Sequence, residues 1–294
     1  MLQVLVNGLV QGAVYALLAI SLTVVFSILR VPHFGLGGIF VWGAFTAYYA
    51  VASGLPFWLA VVAAVAVCAG GGVVIERLAF RRLLAAGEDA MFVSAIGVLI
   101  ILENGALLLF GSETRSIEVP DALSFVVRLG GGVFIPAMRA LMFVVTVVAF
   151  AALVLFVKTT RVGKAMRAVA QDRTAARQLG VPIDTVAAWT FALGSGLAGL
   201  AGALVGAAFT FNFEMGSPLI LKAFVVVVLG GLGSVAGAIL GGFVLGVVDS
   251  VTLTYVTSQF KQLVGFSVLI LVLVVRPAGL FGQRTSRADQ AAGA

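Results

Sequence analysis

Charge is what this sequence has least of. Only 10% of its 294 residues are Asp, Glu, Lys or Arg, while 62% are apolar, against about 25% charged and about 45–50% apolar in soluble domains. With a mean hydropathy of +1.18, the chain cannot clothe a water-facing surface and needs lipid as its solvent. Cysteine is almost absent. The single Cys68, in an apolar run beside Gly70 to Gly72, can form no intrachain disulfide and reads as a small core residue. His33 is the only histidine, which argues against a multi-histidine zinc site and a Ser-His-Asp triad, although one His could still serve a Ser in an intramembrane hydrolase. No metal or cofactor is expected. A phosphate-binding P-loop is missing too: Gly163-Lys164 is followed by Ala165, and no glycine stands five positions earlier. The N-terminus carries no basic residue before Arg30 and no cleavage-type ending, so its apolar run reads as a retained first span.

What is present is a series of apolar runs, near residues 4–29, 35–53, 56–75, 90–110, 138–157, 185–210, 217–256 and 262–276. A span needs roughly 20 apolar residues. The run at 217–256 is too long for one and is interrupted by Gly230, Gly231 and Gly233, which permit a break. It is read as two helices, the first short. The expectation is an all-α polytopic bundle of about nine spans (eight to ten), one transmembrane domain over 1–282, with a disordered cytoplasmic tail at 283–294.

Short cytoplasmic loops collect Lys and Arg. Nine spans with the N-terminus outside put Arg30, Arg77, Arg81, Arg82, Lys158, Arg161, Lys164, Arg167, Arg173, Arg177, Arg276, Arg284 and Arg287 in the cytoplasm. Only Arg115, Arg128, Arg139, Lys222 and Lys261 then fall outside. Eight spans would turn the tail outward with three more arginines. Sidedness thus accounts for the net charge of +6 without nucleic acid as a partner. The outer segment Gly111 to Pro136 is expected to be ordered but non-helical.

Intramembrane carboxylates mark ion-coupled carriers. Glu103, beside Asn104, either lines a polar path or reaches water at the outer end; Asp249 lies toward a helix end. Small residues recur every fourth position at Gly194, Ala198, Gly202 and Gly206, and again at Gly230, Ser234, Ala238, Gly242, Gly246 and Ser250, with Gly233, Gly237 and Gly241 alongside. That spacing lets backbones approach closely in lipid. The stretch Arg161 to Gly180, stopped by Gly180 and Pro182, reads as a short amphipathic cytoplasmic helix. Val162, Met166, Val169, Ala176 and Leu179 share one face, Lys164, Arg167, Gln171 and Gln178 another. Its partner is either membrane lipid or a protein groove.

Over nearly its whole length the sequence resembles the LivH-like permeases of branched-chain amino-acid ABC importers. The likeness is carried by Asn7-Gly8 with Gly12 and Tyr15-Ala16-Leu17, by the basic loop with Gly163, Arg167, Ala168, Asp172, Ala176 and Gly180, and by Phe191 with Leu197 to Gly202. Phe224 to Ser234 and Arg276-Pro277-Ala278-Gly279-Leu280-Phe281-Gly282 complete it. The resemblance implies a non-enzymatic subunit of the bacterial inner membrane, paired with a second, similar permease and fed by a periplasmic binding protein. It also implies two cytoplasmic ATPase subunits docked on the 158–184 loop, with Gly163, Arg167, Ala168, Asp172, Ala176 and Gly180 as the coupling element. The sequence departs from the family at His33-Phe34-Gly35-Leu36-Gly37-Gly38, where the family usually reads Asn-Phe-Ala-His-Gly and an acidic residue. Urea, amides or aromatic carboxylates are therefore kept as alternative cargoes. Asn7, His33, Glu103 and Asn104 are candidates for the translocation path; a stand-alone carrier or channel is the runner-up, and a membrane hydrolase third.

Overall fold

The structure, a computed structural model, describes residues 1–83, 87–128, 134–255, 261–276 and 279. The tail expected at 283–294 lies outside the described residues. Among those described are eleven α-helices: α1 (Leu2–Leu29), α2 (Gly35–Ala52), α3 (Phe57–Ile75), α4 (Glu88–Phe110), α5 (Ala137–Thr159), α6 (Arg161–Gln171), α7 (Arg173–Gln178), α8 (Ile183–Ala208), α9 (Gly216–Gly230), α10 (Val235–Tyr255) and α11 (Lys261–Val275). A π-helical turn, Glu76–Phe80, continues α3, and β1 (Val126–Arg128) pairs antiparallel with β2 (Phe134–Pro136). Eight helices are long and apolar enough to cross a membrane: α1 to α5, α8, α9 with the turn before it, and α10. The apolar part of α11 is shorter.

Apart from α1, the more hydropathic spans are the less buried ones, as lipid solvation favours. α5 is the most hydropathic of the eight and the least buried, whereas α2 is the least hydropathic and mostly buried. The most buried is α1, which packs along α10 and also touches α8, α9 and α5. Glycine makes these approaches possible. A Cβ on Gly246 would stand 2.3 Å from the Gly12 nitrogen, one on Gly8 2.7 Å from Val247 Cα, and one on Gly242 2.7 Å from the Ala16 nitrogen. Gly202 meets the Phe40 carbonyl, Gly206 meets Ile117 and Phe211, and Gly230 and Gly237 face one another. Gly233 differs from the packing role expected of it. It lies in the turn between α9 and α10 with φ +84° and nothing within 4 Å of its would-be Cβ, so backbone conformation is what requires it.

Lys222, expected on the outer side, sits in the first half of α9 and forms an ion pair with Asp249 of α10, 27 positions away. One further expectation changes. The Arg161–Gly180 stretch is two helices rather than one, broken at Asp172, whose φ of −149° and ψ of 110° are extended. Leu179 consequently leaves the apolar face and is 83% exposed.

Among its described residues, the segment 111–136 is mostly non-helical, with a short 3₁₀ turn at Asp121–Leu123 and the β1–β2 pair. Its start is stitched to the last turns of α8 and to the chain that follows. Arg115 N donates to Phe211 O at 2.9 Å, Phe211 N to Arg115 O at 2.8 Å, and Ile117 N to Gly206 O at 2.9 Å. Arg115 also donates to the Tyr49 hydroxyl at 2.7 Å and to Phe110 O at 2.8 Å.

Candidate functional site

The basic module grows out of the end of α5. Thr160 leaves the helix in extended conformation and its Oγ1 accepts from Gly163 N at 3.0 Å, capping α6. α6 crosses close over α5: a Cβ on Gly163 would lie 2.4 Å from Val157 O. Arg167 donates to that same carbonyl at 2.5 Å, where the negative end of α5 favours a cation. Met166 and Val169 are buried, and Lys164, Arg167 and Gln171 exposed. Asp172 then ends one helix and starts the next, its Oδ1 accepting from Thr174 N at 2.8 Å and Ala175 N at 2.9 Å. α7 buries Ala176, Asp172 at its start is exposed, and the helix closes with Gly180 at φ +78°. Val181 N donates to Ala176 O and Gly180 N to Arg177 O, both at 3.0 Å, the paired bonds of a Schellman stop. The result is a small platform, capped at each helix end and anchored to the bundle, with Leu179 and several cations facing outward.

The four residues expected along a translocation path do not form one site. Asn7 is exposed near the start of α1 and accepts from Gln3 at 3.1 Å. Asn7 and Leu29 are 22 residues apart on that helix, about 33 Å at 1.5 Å per residue, and His33 lies beyond the far end. His33 is completely buried, with ring centroids 4.7 Å from Phe80 and 5.1 Å from Phe191. Neither ring nitrogen has a hydrogen-bond partner among the described residues. Burial pushes its pKa down to about 3, so the ring is neutral, closed in by aromatics. Glu103 caps α9: its carboxylate accepts from Ser217 N and Ser217 Oγ, each at 2.7 Å. That places the start of α9 against the interior of α4, seven residues short of its end at Phe110. Asn104 is exposed and donates back to Ile100 O of its own helix at 2.8 Å.

Sequence reading missed the cluster of Tyr15, Lys222 and Asp249. The Tyr15 hydroxyl donates to Asp249 Oδ2 at 2.6 Å, Lys222 Nζ donates to the same oxygen, and Nζ lies 3.2 Å from the Tyr15 oxygen. Asp249 is fully buried. The available signal was two opposite charges in one apolar stretch, since a charge inside a bundle needs a partner.

Membrane-length helices around a glycine-mated core, with a capped basic platform built on α5, define a polytopic helical membrane protein. Residues 4–273 match the family described as "Branched-chain amino acid transport system / permease component", and the chain belongs to that family. It is 36% identical over 294 residues to the high-affinity branched-chain amino acid transport system permease protein BraD of Pseudomonas aeruginosa, covering 96% of each chain. It is 34% identical over 296 residues to the corresponding LivH proteins of Salmonella typhimurium and Escherichia coli, again covering 96% of each. Among solved structures, PsaBC from Streptococcus pneumoniae in complex with Fab aligns with a TM-score of 0.47 at 15% identity, covering 98% of this chain and 94% of that one.

Proposed function

We propose that this chain is the membrane-spanning permease subunit of an ATP-driven, binding-protein-dependent importer in the bacterial inner membrane, carrying branched-chain amino acids or related small polar solutes. A second, similar permease completes the path, two cytoplasmic ATPases supply the energy, and a periplasmic binding protein delivers the cargo. The observation that carries the reading is the platform of α6 and α7, on a chain whose relatives are permease components along their whole length. Its caps at Thr160, Asp172 and Gly180 fix two short helices relative to α5 and α8, so tilting those spans moves the platform as one body. Exposed Leu179 offers an apolar anchor for a partner groove. Nine spans follow if α11 crosses the membrane, with the N-terminus outside and the C-terminus cytoplasmic; residues 1–282 then form one transmembrane domain.

Reconstitution tests this. Proteoliposomes holding both permeases and both ATPases should accumulate leucine only with internal ATP and external binding protein, and competition with urea, amides and aromatic carboxylates defines the cargo. Concentrative uptake by this chain alone, driven by an ion gradient, would refute the proposal in favour of a stand-alone carrier.

A further inference from the structure

At the end of α3 the chain widens into the five-residue π turn Glu76–Phe80, a distortion that recurs where helices carry function. Beside it, between α3 and the start of α8, lies a cavity of about 310 Å³ lined by Val73, Glu76, Arg77, Arg81, Asp184 and Trp189, among others. Arg81 and Asp184 pair across it at 2.5 Å, each about half exposed. Glu76 is 1% exposed, and neither carboxylate oxygen has a hydrogen-bond partner among the described residues. A buried carboxylate without donors is costly and calls for a ligand that brings them. Trp189 of the lining is exposed, as are Val74 and Leu78, which follow the lining residues Val73 and Arg77 in sequence.

We propose that this cavity seats the headgroup of a phosphatidylethanolamine, its phosphate held by Arg77 and Arg81 and its ammonium by Glu76. Guanidinium groups match phosphate oxygens bidentately, and an ammonium carries the three N–H donors that Glu76 lacks. A purely anionic headgroup meets two carboxylates here, Glu76 and Asp184. A choline headgroup has no N–H to give. A free amino acid shares the two charges but leaves the apolar flank of Val74 and Leu78 unused, whereas acyl chains cover it and Trp189 sits at headgroup level. Assignment to the cytoplasmic leaflet rests on the proposed orientation; the headgroup chemistry does not.

The test uses the complete purified complex, titrated with palmitoyl-oleoyl phosphatidylethanolamine, phosphatidylcholine or phosphatidylglycerol and read by native mass spectrometry. The ethanolamine lipid should be retained at least about tenfold better than the choline lipid, as expected for one charge-assisted hydrogen-bond set. Glu76→Gln should bring the two to parity, while Glu118→Gln on the outer loop should leave the preference intact. Arg77→Gln should weaken retention of all three lipids, which keeps the test decisive if Glu76→Gln fails to assemble. Parity of the ethanolamine and choline lipids in the unaltered complex, stronger retention of phosphatidylglycerol, or displacement of the lipid by free leucine would each overturn the proposal.

Discussion

Neutralising Lys222 or Asp249 singly should destabilise the protein far more than neutralising both. Asp249 is wholly buried and the Lys222 side chain only 14% exposed, so removing one partner deprives a buried charge of its ion-pair mate. Such a loss typically costs about 3–5 kcal/mol. Because Lys222 keeps slight contact with its surroundings and long cations relax toward water, Asp249→Asn should fall near the lower figure and Lys222→Met nearer the upper. In the double variant neither charge of the pair remains to be solvated, and the replacement amide still accepts from Tyr15. Its cost should be about 1–2 kcal/mol, well short of the sum, since apolar substitutes for a buried pair are often neutral. Denaturant unfolding of the detergent-purified protein, followed by intrinsic tryptophan fluorescence, supplies the four corners of the cycle. Single-variant losses that add to within about 0.5 kcal/mol would show that the two groups do not depend on each other. Transport gives a second reading: the double variant in the full complex should still import, whereas an ion-coupled carrier using Asp249 would stop.

Other outcomes follow from the same geometry. His33 is held neutral with a pKa of about 3 against an ordinary 6.5, so the unfolded chain binds more protons between those values and stability must fall as pH drops through 6.5. Relative to His33→Leu, the unaltered protein should lose about 2 kcal/mol between pH 7 and pH 5 and nothing above it; parallel pH profiles in thermal unfolding would refute this. Asp172→Ala removes the α7 cap, worth about 1 kcal/mol, and should lower substrate-stimulated ATPase activity of the complex, while Asp172→Asn, an equally good cap, should restore it. Equal activities in the two variants would remove capping from the explanation. Gly202→Ala drives a Cβ to 2.0 Å from Phe40 O and should cost about 1–3 kcal/mol. Gly70→Ala meets nothing within 4 Å and should be neutral or stabilising by up to about 1 kcal/mol. The paired melting temperatures decide between them.

Span positions were legible because lipid imposes a simple rule on composition. The break at Gly231 and Gly233 was legible because glycine takes positive φ without strain, and both do. The stop at Gly180 could be read for the same reason. Side-chain pairings across the bundle were not legible. Asp249 meets Tyr15 from 234 positions away and Glu103 meets Ser217 from 114, and no local pattern encodes such distances. The kink at Asp172 escaped because Asp inside an alanine-rich helical run signals a cap only once the chain is seen to turn there. Glycine spacing showed which stripes were small but not that Gly8 and Gly12 of α1 would be their mates.

The short ninth helix has a consequence for the outer segment. At fifteen residues, α9 reaches about 22 Å, less than the roughly 30 Å of a hydrocarbon core, and the 3₁₀ turn Phe213–Met215 before it lengthens the helical run. Ahead of that turn the Phe211 peptide exchanges both its hydrogen bonds with Arg115, and Ile117 N donates to Gly206 O in the last turns of α8. A connector that hydropathy alone would mark as dispensable is therefore a working part of the interior, lending its peptide groups to the end of α8 and to the chain that leads into α9. Epitope tags or deletions between Glu113 and Val119 would disturb the middle of the protein before they disturbed its edge.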